Sequence, residues 1–220
     1  MKKIYVSPSD QTGNKYAYGD TNEAAVCREI AKKLCVALER CGFESKTDFA
    51  DGSNAMYDRC KQSDAWGADM HLCIHTNAFN GQVTGTRIFS YNYTGESYKA
   101  SKCVFDALAP VTPGTSENIT ARSELYEIRV PKAVSVYVEV DFHDVPKVAK
   151  WLIENTDAVA EAICKGVCNY YKVSYVDSTP AESDTLYRVQ VGAFRVKANA
   201  ENQLAALKKA GFDGFIVEVK

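Results

Sequence analysis

The run Met70-His71-Leu72-Cys73-Ile74-His75 constrains the fold more than any other stretch of the chain. It is compact, mostly apolar and shorter than a typical helix, and it passes at once into the polar pair Thr76-Asn77. Such a run reads as a strand buried within a sheet. Its surroundings alternate between two periods. Val26, Cys27, Ile30, Ala31, Leu34, Leu38 and Cys41 recur at helical spacing after the N-cap candidates Asp20, Thr21 and Asn22, and Gly42 can end that helix. Residues 3–6, 43–47, 85–91, 125–128 and 133–142 read as further strands, and residues 54–63, 97–108, 147–153 and 158–171 as helices. Residues 7–18 and 110–118 read as loops. The class expected is α/β, with a mostly parallel or mixed central sheet flanked by helices.

In open α/β sheets ligands sit outside the carboxyl ends of the strands. The polar residues after the first strand, after Ile74 and near the end of 133–142 should then share one rim. That places Asp10, His75 and Glu139 in one neighbourhood.

The chain has 220 residues, 46% hydrophobic and 25% charged, which suffices for one core. A net charge of −2 gives no bulk attraction to nucleic acid or an anionic membrane. No apolar run is long enough to span a bilayer, so membrane insertion is not expected. Ile4-Tyr5-Val6 is followed at once by Ser-Pro-Ser-Asp, so the N-terminus reads as a strand rather than a signal peptide. The eight cysteines read as reduced core thiols, several falling on apolar faces. Cys164 and Cys168, one helical turn apart, resemble half of a metal site, but no second pair has matching spacing.

Residues 68–78, ADMHLCIHTNA, resemble the "AD…SIHANA" strand of the zinc-dependent N-acetylmuramoyl-L-alanine amidases. Gly85-Thr86 is similar to the "GT" that opens their next strand. Thr21-Asn22-Glu23 resembles their metal-binding glutamate, and residues 136–142, VYVEVDF, resemble their "VLVEVGF" strand. Four weak motifs in the right order, spread over residues 3–171, make a specific signal. The resemblance implies a peptidoglycan hydrolase that cuts the amide between N-acetylmuramic acid and L-alanine of the stem peptide. It implies Zn²⁺ held by Glu23 and His75, with Glu139 as general base on a water and then proton donor to the leaving amine. One departure stands out. Where the family carries "DPGHGG", this chain has Ser7-Pro8-Ser9-Asp10-Gln11. Asp10 falls at the histidine that would be the third ligand, and aspartate is an acceptable zinc donor. Gln11 or a water is the alternative there, and His71 and His143 lie further off. Asn77 and Gln11 are the expected substrate contacts, Asn77 also ordering a turn.

Plainer roles exist for each residue. His75 suits a hydrogen-bonded core histidine, Glu23 a helix-dipole partner, Asp10 a turn former, and Glu139 an ion pair with Arg122 or Arg129. A chain that kept the fold and lost the metal would bind peptidoglycan without cutting it.

The expected layout is a catalytic domain over 1–173, a linker over 174–185 and a wall-binding segment over 186–220. In the last, Val189, Val191 and Ala193 alternate as in a strand, 198–210 is helical, and 215–219 reads as a second strand, one β-α-β unit. This tail resembles a SPOR domain, a family that binds glycan strands stripped of peptide, at half its usual length. The resemblance implies peptidoglycan as the partner, with a homodimer through the tail as a way to complete its core. An endolysin-type protein, made in the cytoplasm without a signal peptide and released to the cell wall, fits these expectations.

Overall fold

A computed structural model describes residues 1–50, 52, 55–178 and 189–218. The chain divides into two units, Met1–Ser178 and Thr179–Lys220.

The first unit carries a six-stranded sheet. In chain order its elements are β1 Lys3–Pro8, α1 Glu23–Arg40, β2 Glu44–Thr47, α2 Ala55–Trp66, β3 Met70–Asn77, β4 Arg87–Ser90, α3 Gly95–Leu108, β5 Asn118–Ala121, α4 Tyr126–Arg129, β6 Val134–Phe142, α5 Pro146–Glu154 and α6 Thr156–Tyr171. The strands lie in the order β2-β1-β3-β6-β4-β5. β2, β1, β3 and β6 run parallel, and β4 opposes β6, so the sheet is mixed.

The expected buried strand is the centre of this sheet. β3 pairs β1 on one side and β6 on the other, and Met70 to Thr76 are all buried. Side chains alternate between the faces of a strand. Met70, Leu72 and Ile74 join one apolar core with Ile30 and Leu34 of α1, Val104 of α3 and Ile163 of α6. Burying each such side chain stabilises by roughly 1.5–3 kcal/mol. The intervening His71, Cys73 and His75 face the other side, where Tyr5 stacks on His71 and Tyr137 on His75. One short sequence thus supplies an apolar face and a chemical face.

α1 starts and stops as the sequence predicts. Asn22 Oδ1 accepts from Ala25 N at 3.0 Å, and Gly42 takes φ of 84° just after the helix, a conformation costly for a residue with a Cβ. Two expectations are corrected. Residues 125–128 form no strand: Tyr126–Arg129 is a single helical turn, which turns Glu127 and Ile128 inward. A four-residue run of this kind fits either period, and tertiary contacts decide. Residues 118–121, placed in or beside a loop, form the edge strand β5 against β4.

All eight cysteines are free, as expected of core thiols, and six of them are buried. No helix among the described residues is long and apolar enough to cross a membrane.

Residues 174–178, read as the start of a linker, belong to the first unit, where Arg40 Nε donates to Val176 O at 2.9 Å. The rest of that linker and residues 186–188 fall outside the described residues. The second unit holds α7, Lys197–Lys209, with no buried side chain. Residues 189–194 and 212–218, which include most of the two expected flanking strands, carry no strand ladder. A strand needs a partner to satisfy its backbone, and Val189 and Phe215 are both more than four-fifths exposed.

Candidate metal and hydrolytic site

The register of the sheet builds the site. His75 of β3 lies directly across from Glu139 of β6, and Glu139 lies across from Arg87 of β4. The three therefore emerge on the same face, near the end of β3 and β6. α1 begins beside this rim, and its first residue, Glu23, is 1% exposed. Glu23 Oε1 lies 2.9 Å from His75 Nδ1, and Asn14 Nδ2 donates to Glu23 Oε2 at 2.7 Å. The loop after β1 carries Asn14 and is itself pinned, since Ser9 N donates to Ile74 O at 2.8 Å.

The other nitrogen of His75 points away from Glu23. Nε2 lies 3.8 Å from Glu127 Oε2, an ion-pair separation too long for a hydrogen bond. Glu127 is held from behind: Ser7 Oγ donates to its Oε1 at 2.5 Å, and His71 Nε2 lies 3.2 Å from the same oxygen. Arg59, also buried, donates from Nε to Ser7 Oγ at 2.9 Å and reaches Asp10 Oδ2 at 3.2 Å.

These partners set the charges. Burial pushes Glu23 up, but the bonds from His75 and Asn14 outweigh it and hold the carboxyl below its usual range. Burial pushes His75 down, yet Glu127, Glu23 and Glu139 together raise it to about 10. Glu127, buried against His71 and His75, stays well below the usual carboxylate range. Glu139 differs. Burial raises it to about 8, with His75 and Glu23 pulling in opposite directions, and its Oε2 is shielded from solvent with no hydrogen-bond partner. The expected ion pair with Arg122 does not form. Arg122 pairs with Glu124 and acts on Glu139 only at a distance.

The expected residues are thus only partly brought together. Glu23, His75 and Glu139 converge. Asp10 does not join them in a three-donor group: among the described residues, the groups with ligand atoms mutually within 4.8 Å are Cys60/His71/Glu127 and Cys41/Cys164/Cys168. Asp10 is turned to Arg59 instead, because a buried guanidinium requires a counter-charge. Gln11 lies beside the pair, its Nε2 3.5 Å from His75 Nδ1. Asn77 orders the turn after β3, its Oδ1 accepting from Ala78 N at 2.8 Å. It also borders an open groove of about 400 Å³ lined by Phe79, Val83, Arg87 and Phe142 among others. His143 is not at the pair. Stacked on Tyr16 and bonded to Thr76, it is pushed down by burial and stays neutral.

Glu127, Arg59 and Ser7 went unforeseen. Glu127 carries the same signal as Glu139, a carboxylate within an apolar run, but no family motif covers it and its inward turn depends on the helical turn of Tyr126–Arg129.

Zinc suits Glu23 and His75. A carboxylate oxygen and an imidazole nitrogen converge at 2.9 Å, and the other, buried nitrogen of the same imidazole has no hydrogen-bond partner and is left for a ligand. The Cys60/His71/Glu127 set suits it less, since Glu127 Oε1 is already engaged by Ser7 and His71, and buried Arg59 adjoins them.

Comparison with known proteins places this geometry. The N-acetylmuramoyl-L-alanine amidase family matches residues 8–169, and the SPOR domain matches residues 169–218. A sporulation-specific N-acetylmuramoyl-L-alanine amidase of Bacillus subtilis (strain 168) is 24% identical over 99% of this chain and 85% of its own length. The N-acetylmuramoyl-L-alanine amidase CwlM of Bacillus licheniformis is 26% identical over 76% of this chain, which spans 64% of that relative. Among solved structures, the catalytic domain of the amidase CwlV from Paenibacillus polymyxa superposes with a TM-score of 0.71 at 19% identity, covering 79% of this chain and 100% of that one. The CwlD amidase of Clostridioides difficile, solved with the GerS lipoprotein, gives 0.70 at 22% identity over 78% and 99%. The structural likenesses show the fold; the family match over most of the chain shows that it belongs to the N-acetylmuramoyl-L-alanine amidases, peptidoglycan hydrolases that cut between N-acetylmuramic acid and L-alanine, here joined to a SPOR domain.

Proposed function

We propose that this chain is a zinc-dependent amidase in which Glu23 and His75 hold the metal and Glu139 moves the proton. The observation that carries the reading is the orphaned Oε2 of Glu139, directly across the sheet from the Glu23–His75 pair. A buried carboxyl without a partner is costly in a purely structural role. Zinc bound there supplies Lewis-acid polarisation of the scissile carbonyl and a water of lowered pKa.

The chain's own residues do the rest. Glu139, with its affinity for protons raised by burial, takes one from the attacking water and delivers it to the alanine nitrogen as the amide C–N bond breaks. The lactyl carboxylate and a free alanine amine result. Glu23 holds the His75 ring through Nδ1, and Glu127 sets a negative charge opposite Nε2. Asp10, the third donor that the resemblance implies, is held by Arg59 and would join the metal only where that pair opens. Gln11 and Asn77 border the approach and contact substrate.

The test is release of alanine amino groups from purified peptidoglycan, with chelator and with zinc restored. Release that stops and returns supports the reading. No release from several wall types with zinc present leaves a protein that only binds the wall. An endolysin-type role belongs to the same proposal: expression inside a cell should lyse it once the membrane is opened. So does a homodimer through the C-terminal unit, suggested by exposed Val189, Phe212 and Phe215. Sedimentation of the full chain against residues 1–178 checks it, and two monomers refute it.

A further inference from the structure

Away from the rim, two helices distant in sequence bring three cysteines together. Cys41 caps the end of α1, and Cys164 and Cys168 lie one turn apart on α6. All three are buried, and their sulfur atoms lie within 4.8 Å of one another. Cys164 Sγ donates to Cys41 Sγ at 3.7 Å. The half-site legible in the sequence as Cys164 and Cys168 therefore has its missing member, contributed from 123 residues away.

The donor set is entirely soft. A metal–sulfur bond of about 2.3 Å places the sulfurs of a trigonal site ~4 Å apart, close to what stands here. Among the described residues no fourth His, Cys, Asp or Glu joins the group. Structural zinc is almost always four-coordinate, whereas thiolate sets select soft ions such as Cu(I). A backbone N–H and a guanidinium stand beside these sulfurs. Val176 N donates to Cys41 Sγ at 3.3 Å, and the Arg40 guanidinium adjoins the group, tied to Val176 O and to Glu161. Burial pushes the Cys168 thiol up to about 12, and Arg40 pulls against it. Burial holds the Cys164 and Cys168 thiols above their usual range, which keeps those two unreactive without metal.

We propose that Cys41, Cys164 and Cys168 form a three-coordinate site for a soft monovalent cation of the Cu(I) kind. On binding, three S–H bonds break, three protons pass to solvent and three sulfur–metal bonds form, with no change of oxidation state. The occupied site ties the end of α1 to α6 and to the segment at Val176, and it raises the stability of the first unit by mass action.

The experiment uses the full chain with a Cys60→Ser substitution, which removes the sulfur of the other buried donor group, under a non-thiol reductant. Cu(I) is added to one equivalent against a chromophoric competitor, and X-ray absorption counts the scatterers. The expected result is one Cu(I) per chain with three sulfurs and no nitrogen or oxygen in its shell. A further Cys168→Ser substitution should weaken binding at least tenfold and abolish the rise in unfolding temperature that Cu(I) produces in the parent. A two-sulfur or mixed shell overturns the proposal, as does undiminished affinity in Cys168→Ser. Should that variant fail to fold, the sulfur count of the parent still decides.

Discussion

On the α2/α4 side of His75, Glu127 is buried with Ser7 and His71 on one oxygen, and Arg59 bridges Ser7 to Asp10. On the β6 side Glu139 is half-buried, and its solvent-shielded Oε2 meets nothing. Two carboxylates near the same imidazole are thereby driven apart, one well below its ordinary range and one up to about 8. Chemical type does not explain this, since both are glutamates in apolar runs. What differs is the supply of donors. A carboxylate surrounded by donors keeps its charge down to low pH, and one denied them binds a proton more tightly.

The sharpest way to break this contrast is Glu139→Gln. Amide cleavage should fall by roughly 10²–10⁴-fold, the range removed with a general acid–base group, while the fold persists. Activity within tenfold of the parent would remove Glu139 from the chemistry. The same variant carries a stability signature in chelated protein. The folded-state pKa of about 8 exceeds the ordinary 4.5, so between those values the native state holds a proton that the unfolded state has lost. The stability contributed by this group is full below about 4.5 and lost as pH rises through 8. Thermal unfolding at pH 5 and pH 9 should therefore show Glu139→Gln gaining on the parent at the higher pH, and an equal difference at both would contradict the burial argument.

Glu127→Ala probes the closed side. Loss of one partner from a buried charge network costs about 3–5 kcal/mol, so a marked drop in the denaturation midpoint is expected, with activity lost along with the fold. A variant as stable as the parent would mean that the network is ornamental. Metal affinity separates the sides further. Glu23→Gln and His75→Ala should each weaken zinc by about 100-fold in a competition titration, and Asp10→Asn by less than about 10-fold, because Asp10 is committed to Arg59. An Asp10 effect equal to that of Glu23 would show that the Arg59 pair opens to complete the site. The smallest effect belongs to Asn77→Ala, a few-fold rise in KM with kcat nearly unchanged, since its turn bond is worth about 1 kcal/mol. A collapse of kcat would move Asn77 into the chemistry.

What was legible in the sequence follows from range. β3 and β6 announce themselves because a buried strand is written in consecutive residues, and His75 and Glu139 end in direct register across them. Glu127 was hidden because Leu125-Tyr126-Glu127-Ile128 satisfies strand and helix alike, and β5 because four residues of an edge strand resemble a loop. Arg59 stood on an expected helix, where an arginine ordinarily reaches solvent. Its burial depends on Ser7 and Asp10 arriving from another element. Asp10 lies in the loop after β1, but sequence position does not say which neighbour claims a carboxylate, and here Arg59 does. In the second unit, α7 is written locally and forms, whereas strands flanking it would need a pairing surface that so short a segment does not supply among its described residues.

Asp141 follows Glu139 by two residues on β6 and has a role in the mechanics of the site. Its buried carboxylate accepts from Gly85 N at 2.6 Å and Gly114 N at 3.1 Å, and a Cβ on Gly114 would come within 2.2 Å of the Gly85 backbone. The segments entering β4 and β5 are thus riveted to each other and to the strand that carries Glu139. A load at the groove edge beside Val83 and Ser116 is therefore shared by both segments and the strand that bears Glu139, rather than taken up by one loop alone.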